Sequence, residues 1–364
     1  MRADIAIVGA GIAGASLAAE VAGHASVLLI EAEAQPGYHS TGRSAAFWSE
    51  SYGGPLVQPL TTASRAFLAE GGFLSPRGAL HIADAQGQAA LDRLCTQFAG
   101  SDVAMERLSR PALERLVPGL AAGWEYGVLE RSCTDIDVAR LHATYLKAER
   151  ANGATLLTDA RVERLERRNG HWALGTSDSI LEAAIVVNAA GAWADEIAGL
   201  ARLPPIGIQP HRRTIVQLRT DPPAPAQLPL VIDALGRFYF KPEAGGRLWL
   251  SPHDETACPA SDCAPEEYDV ALAIERFSQV VDWRIERVEH KWAGLRNFAP
   301  DRLPVYGFDS RVEGFFWCAG QGGFGIQTAP AAARLAAALL LGRDPDPTVA
   351  GIDPAPYHSR RFTN

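Results

Sequence analysis

The stretch Ile5-Ala6-Ile7-Val8-Gly9-Ala10-Gly11-Ile12-Ala13-Gly14 decides the fold. The apolar run reads as a buried strand, and the G-x-G-x-x-G turn follows it at once. An Ala/Leu stretch of helical composition comes next, then the apolar run Ser26-Val27-Leu28-Leu29-Ile30, then Glu31. Strand, glycine turn, helix, strand and acid stand in the order of a dinucleotide-binding βαβ unit. Gly9 makes the tight turn, Gly11 lets backbone approach a pyrophosphate, and Gly14 lets helix and strand pack closely. The helix start at Ile12 and Ala13 offers free N–H groups and partial positive charge to that pyrophosphate. Glu31 is placed to accept hydrogen bonds from ribose hydroxyls.

With 364 residues the chain exceeds what one hydrophobic core supports, so two domains are expected. Apolar residues make up 47% and charged residues 21%, as in ordinary globular proteins. The net charge of −8 argues against nucleic acid as a partner and against a polybasic membrane patch, leaving at most peripheral membrane association. Asp4 already lies at the first strand, which leaves no room for a cleavable signal peptide. Five scattered cysteines read as reduced thiols, so a cytoplasmic location is expected. Cys258 and Cys263 lack the further ligands a metal needs, and no metal site is expected.

Along the chain, residues 36–54 are rich in Gly, Ser and Thr and read as a long functional loop. Helices are expected at Thr61–Ala69, Ala89–Phe98, Arg110–Leu116, Asp137–Asn152 and 265–283. Strands are expected at Gly78–Ala83, Thr155–Leu157, Val162–Glu166, His171–Leu174 and Ile185–Asn188, with Asn169-Gly170 as a hairpin turn. Residues 208–250 alternate like an antiparallel sheet, with strands expected at Thr214–Leu218, Leu230–Asp233, Phe238–Lys241 and Leu248–Ser251, another strand is expected at 285–294, and Pro204-Pro205 marks a crossing between domains. Phe315–Cys318 reads as a buried strand, followed by a glycine turn and an Ala/Leu helix from Gly325 to Leu341. The expected fold is α/β plus α+β. A discontinuous Rossmann-like domain (1–47, 136–205, 295–364) would carry an inserted, mostly antiparallel substrate domain (48–135, 206–294).

Four motifs then give the chain a resemblance. They are Gly9–Gly14 with Glu31, Ser40-Thr41-Gly42-Arg43-Ser44-Ala45, Val187-Asn188-Ala189-Ala190-Gly191-Ala192-Trp193, and Gly320-Gln321-Gly322-Gly323-Phe324-Gly325. In this order they resemble the FAD-dependent D-amino-acid oxidase superfamily. The segment Ala34–Ala46, with Trp292-Ala293-Gly294-Leu295-Arg296 and Gly325-Ile326-Gln327-Thr328, is similar to the bacterial D-arginine dehydrogenase branch. The resemblance implies FAD. Thr41, Arg43, Ser44 and Ala45 would face the pyrophosphate and flavin edge. Val162, on a strand, would hold the adenine by its backbone, and Ala190, Gly191 and Trp193 would border the cofactor. Gly322, Gly323, Phe324, Gly325, Ile326 and Gln327 would present the positive end of the last helix to the flavin. Relatives that attach flavin covalently use a cysteine before a Pro-Asp pair; here the pair is Pro300-Asp301 and Gly294–Ala299 holds none, so FAD is expected to be non-covalent.

For a substrate, the resemblance implies a carboxylate grip by Arg213, Arg296, Tyr52 and Tyr239, since arginine forks and phenols suit a carboxylate. Tyr52 lies in the long loop and would double as a lid. Gly323 would offer its carbonyl to the amine. Phe47, Ser49, Ala79 and Leu230 would line the side-chain pocket. Two departures from the D-arginine dehydrogenase pattern matter. Phe47 replaces a histidine near the amine, and Ala79 replaces a glutamate that pairs with a guanidinium. A buried cation without a partner is costly, so apolar D-amino acids are expected over D-arginine and D-lysine, unless Glu50 turns inward. Products would be a 2-oxo acid and ammonia, with a quinone or respiratory carrier as electron acceptor. Three other readings stay open: oxidation of an N-methyl amino acid or secondary amine, a flavoprotein without turnover, and an NAD-dependent dehydrogenase.

Overall fold

A computed structural model describes residues 1–363. An eight-stranded sheet is built around the first strand, Arg2–Val8, with Val27–Ile30 and Ile180–Asn188 parallel on either side of it. Thr155–Leu157 extends one edge in parallel, and Phe315–Ala319 pairs in parallel with the C-terminal end of Ile180–Asn188. The hairpin Arg164–Arg168 and His171–Gly175 finishes the other edge, and its turn residues Asn169 and Gly170 both take positive φ, 50° and 81°.

Side chains alternate across a strand, and the first strand shows what that achieves. Ile5 and Ile7 pack with Leu17, Val21, Leu335 and Leu340 under the helices Ile12–Val21 and Gly325–Leu341. Ala6 and Val8 face the opposite core with Trp172, Phe315 and Trp317. The helices close tightly because their contact faces are small: Gly14, Ala15 and Ala18 on one, Ala329, Ala332 and Ala336 on the other.

A second sheet of ten strands is mostly antiparallel. Its spine is the pair Gln209–Asp221 and Arg284–Phe298, flanked by Arg247–Ser251, Tyr239–Glu243 and Leu230–Asp233. Leu230–Asp233 runs parallel to Ala79–Ala83, which brings in Tyr126–Glu130 and Met105–Leu108 from the earlier part of the chain. Phe240, Phe277, Trp124 and Trp283 fill the core beneath this sheet.

Three elements differ from the sequence reading. Val162 lies outside any strand, in the extended link before Arg164–Arg168. The strand expected at Thr214–Leu218 runs from Gln209 to Asp221, because it has three strand neighbours to satisfy. The strand expected to stop at 294 continues to Phe298, where Asn297 and Phe298 pair with Gly322 and Gln321. The boundary drawn at 294/295 therefore falls inside a strand. No helix among the described residues is long and apolar enough to cross a membrane.

Candidate active site

A cavity of about 430 Å³ is lined by both sheets, from Gly9 and Glu31 to Arg213, Tyr239 and Arg296. At the first-sheet end the glycine turns bring backbone and small residues to the wall, beside larger side chains such as His39, Arg161 and Trp193. Gly9 has φ +103°, and a Cβ there would stand 2.5 Å from the Ala189 carbonyl oxygen. Gly11, Ile12 and Ala13 line the cavity at the helix start, where no side chain caps Gly11. Gly14 does not line it; its Cβ would stand 1.8 Å from the Gly9 carbonyl oxygen, so its role is packing. Glu31 is oriented by the N–H groups of Ala10 (2.9 Å) and Glu33 (3.1 Å), which both donate to its carboxylate.

Thr41, Ser44, Ala45, Val162, Ala190, Gly191 and Trp193 all line the cavity, and Thr41 Oγ1 accepts from the Ile12 N–H at 3.0 Å. Arg43 lines it too, but its charge is met elsewhere. Its guanidinium donates to the carbonyls of Cys263 (3.0 Å) and Ala293 (3.3 Å) and pairs with Asp262. It therefore ties two loops together rather than offering a cation to a pyrophosphate. At the last helix, Gly322, Gly323, Gly325 and Ile326 line the cavity, while Phe324 packs against Val57, Phe298 and Tyr52.

The site residues fit FAD on the structure's own terms. Glycine backbone approaches from two turns, two helix starts face the cavity (the first with its Ile12 N–H met by Thr41), and an acid stands at the second strand. Asn297, which the sequence reading missed, lines the same cavity with a buried Oδ1 that has no donor.

The second-sheet end is made of side chains. Arg213 pairs with Gly294 and His211 with Arg296 across the antiparallel spine, so Arg213 and Arg296 are diagonal neighbours on one face. The Arg213 guanidinium lies 5.9 Å from the Tyr239 ring centre, and that of Arg296 lies 5.8 Å from the Tyr52 ring. Gly323 has no room for a Cβ, which would stand 2.2 Å from Tyr52 Oη and 3.1 Å from Arg296 Cζ. The four expected grip residues and Gly323 are thus brought together.

Their charges are managed by a loop that the sequence did not flag, Pro252–Glu255. Arg213 Nε donates to the Asp254 carbonyl at 2.7 Å and Nη2 to Glu255 at 3.2 Å, while Nη1 has no partner. Burial, and then the neighbouring Arg296 charge, lower Arg213 to about 10, so it stays charged at neutral pH. His253 sits edge-on to Tyr239, with ring centres 5.5 Å apart. Burial, then the charges of Arg213 and Arg296, push it down to about 2, so it is a neutral imidazole.

The loop carrying Tyr52 is pinned, which corrects the expectation of a lid. Glu130, fully buried, accepts from Ser49 Oγ (2.7 Å), the Glu50 N–H (2.7 Å), Ser51 Oγ (2.5 Å) and Ser132 Oγ (3.2 Å). Gln327 holds the other side: its Oε1 accepts from the Ser49 N–H at 3.1 Å, and its Nε2 donates to the Tyr52 carbonyl at 3.1 Å and Thr61 Oγ1 at 2.9 Å. Gln327, expected at the cofactor, is therefore a loop anchor, and Ser49 is a ligand of Glu130 rather than a pocket wall. Ala79 and Leu230 are fully buried behind Tyr239 with Cys133 and Ile215, and they do not line the cavity. Phe47, also expected in the pocket wall, does not line the cavity either; it packs against Tyr52, with ring centres 5.2 Å apart. Glu50 is turned toward Thr62, whose hydroxyl donates to it at 2.6 Å.

Fold and site together define a flavoprotein oxidoreductase. Residues 4–339 match the family described as FAD dependent oxidoreductase (DAO), and the chain belongs to that family. Among curated proteins, it is 28% identical over 258 residues to hydrogen cyanide synthase subunit HcnC of Pseudomonas aeruginosa, covering 70% of this chain and 59% of that protein. It is 31% identical over 251 residues to glycine oxidase of the same organism, covering 66% of this chain and 64% of that one. The sequence match thus spans about three fifths of these relatives' length. In fold it is similar to the crystal structure of glycine oxidase from Geobacillus kaustophilus, with a TM-score of 0.84, 24% identity and 98% of each chain covered.

Proposed function

We propose that the protein oxidises D-amino acids with apolar side chains to 2-oxo acids and ammonia, as a dehydrogenase whose acceptor is a quinone or respiratory carrier. Bound FAD would supply the redox chemistry by accepting a hydride from the substrate Cα. The observation that carries the reading is Arg213 Nη1, a buried guanidinium nitrogen in the cavity wall with no partner, beside Arg296 and between two tyrosines. Such a donor is stabilised by a carboxylate, which an arginine fork binds with directional, charge-assisted hydrogen bonds. Arg296, Tyr52 and Tyr239 complete the grip, and the Gly323 carbonyl faces the amine.

The apolar preference rests on the carboxylates nearby. Glu130 is saturated by its donors and Glu50 faces Thr62, so neither is open to a cationic side chain. Phe47, packed against the Tyr52 ring, brings no proton acceptor where the resemblance has a histidine, which also favours a second reading, an N-methyl amino acid or secondary amine.

The test is the visible spectrum of the holoenzyme, recorded anaerobically with D-amino acids, their L-forms and sarcosine. Bleaching by apolar D-amino acids with slow recovery in air is expected. Bleaching only by sarcosine selects the second reading, and fast recovery with peroxide makes the enzyme an oxidase. The gap between Gly294 and Pro300 holds no cysteine, so acid precipitation is expected to leave the protein colourless.

A further inference from the structure

We infer that Glu255 is a specificity-determining residue that fills the place of a second carboxylate and restricts the site to substrates with one. The inference rests on the reading of Arg213 and Arg296 as the carboxylate grip.

Three cations surround this one acid. Arg302 donates to both Glu255 oxygens at 3.0 Å, Arg213 Nη2 donates to Oε1 at 3.2 Å, and Arg296 Nη1 stands 4.0 Å from the same oxygen. The arrangement is built rather than incidental. Arg302 is held over the Phe298 ring at 3.8 Å. Arg302 and His253, on either side of Glu255, are both non-glycine residues at positive φ, 67° and 59°. Backbone held in that region costs free energy and persists where the surroundings over-determine it.

The consequence is read off the arginine fork. A free guanidinium offers donors along two edges. On Arg213, the Nε–H goes to the Asp254 carbonyl and one Nη2–H to Glu255, which leaves both Nη1–H donors and the second Nη2–H for a ligand. Glu255 therefore aims Arg213 and takes one of its five N–H donors. A second substrate carboxylate would have to enter beside Glu255, where like charges repel, or displace it from three arginines at once. Without Glu255, Nη2 of Arg213 and Nη2 of Arg302, which both donate to it, would be free to hold a second anion beside the first.

The test uses holoenzyme titrated with acetate and with malonate, followed by the change each makes in the bound-flavin spectrum. Wild type is expected to bind acetate and to bind malonate poorly. In Glu255→Gln, malonate affinity is expected to rise at least ten times more than acetate affinity does. Glu255→Ala is made alongside, and because about a third of the Glu255 side chain is exposed, neither variant empties a core position. As a second readout, the ratio of kcat/KM for D-aspartate to that for D-alanine is expected to rise tenfold or more. Unchanged malonate affinity in both variants, or equal gains for acetate and malonate, would overturn the inference while leaving the grip intact. Failure of wild type to bind acetate would overturn both.

Discussion

The two ends of the cavity are built from different materials. The first-sheet end uses backbone, glycines and helix starts within one continuous stretch, Val8–Glu31, with two later turns added. The second-sheet end uses charged and aromatic side chains from Tyr52, Arg213, Tyr239, Arg296 and the Pro252–Glu255 loop, which meet only in the folded chain. The first kind of site is specified by where a Cβ cannot be. The second is specified by which hydrogen bonds remain unmade. They should therefore fail differently, one by losing the cofactor and the fold, the other by losing substrate affinity alone.

The sharpest way to break this comparison is a methyl group placed at each end. Gly14→Ala puts a Cβ 1.8 Å from the Gly9 carbonyl oxygen, against backbone that cannot yield without moving strand from helix. A loss of about 3 kcal/mol or more is expected, with little FAD retained, read by thermal melting and by flavin absorbance after gel filtration. Gly323→Ala instead meets Tyr52 Oη and Arg296 Cζ. It is expected to keep FAD and raise KM. Loss of FAD in Gly323→Ala would show that the two ends are not separable.

Next in size come the arginines. Arg296→Met and Arg213→Met are each expected to raise KM by roughly 100-fold or more, on the order of 3 kcal/mol, with the yellow colour kept. An unchanged KM would remove that residue from the site.

The loop anchor separates positioning from bulk stability. Glu130→Gln leaves the Ser49–Ser51 donors with a single acceptor oxygen. A rise in KM of about tenfold is expected, and it should be non-additive with Tyr52→Phe, with a coupling of about 1 kcal/mol. Additive effects would mean that Glu130 acts on the fold and not through Tyr52.

How far each end could be read follows from the same difference. The glycine turn and Glu31 carry their geometry in local spacing, and the sequence reading located them; the last glycine cluster, read alone as a tight turn, was assigned to the cofactor through the resemblance. The grip residues were located through the resemblance, because nothing in the spacing of Arg213 and Arg296 announces that their strands pair. Glu130 and Glu255 were missed altogether. An acid that gathers donors, buried as Glu130 is or partly exposed as Glu255 is, looks like any surface acid until those donors arrive from segments 80 residues before it (Glu50) or 42 before it (Arg213). Gln327 and Ser49 were assigned to the cofactor and the pocket because they adjoin residues that line it. Ala79 and Leu230 are on the correct strands, one layer too deep.

The smallest expected effect concerns acid. His142 stands at the first-sheet end, its Nε2 2.8 Å from the Ala10 carbonyl oxygen, and His253 stands among the arginines. Burial lowers both, His253 to about 2 with the help of two positive neighbours. The unfolded chain takes up a proton at each histidine as pH falls through the ordinary value of 6.5, while the folded chain does not. Stability is therefore full above that value and declines below it, by at most about 1.4 kcal/mol per pH unit for each histidine. His253→Gln should flatten the decline between pH 6 and 4 by close to one proton, since the folded protein keeps His253 neutral across that whole range. His142→Gln should flatten it by less, because the Ala10 carbonyl and the Glu31 charge favour its protonated form and oppose the effect of burial. Urea unfolding of the holoprotein at fixed FAD, repeated across pH, measures both slopes. Equal slopes for the two variants would mean that the arginine pair does not set the charge of its own neighbourhood.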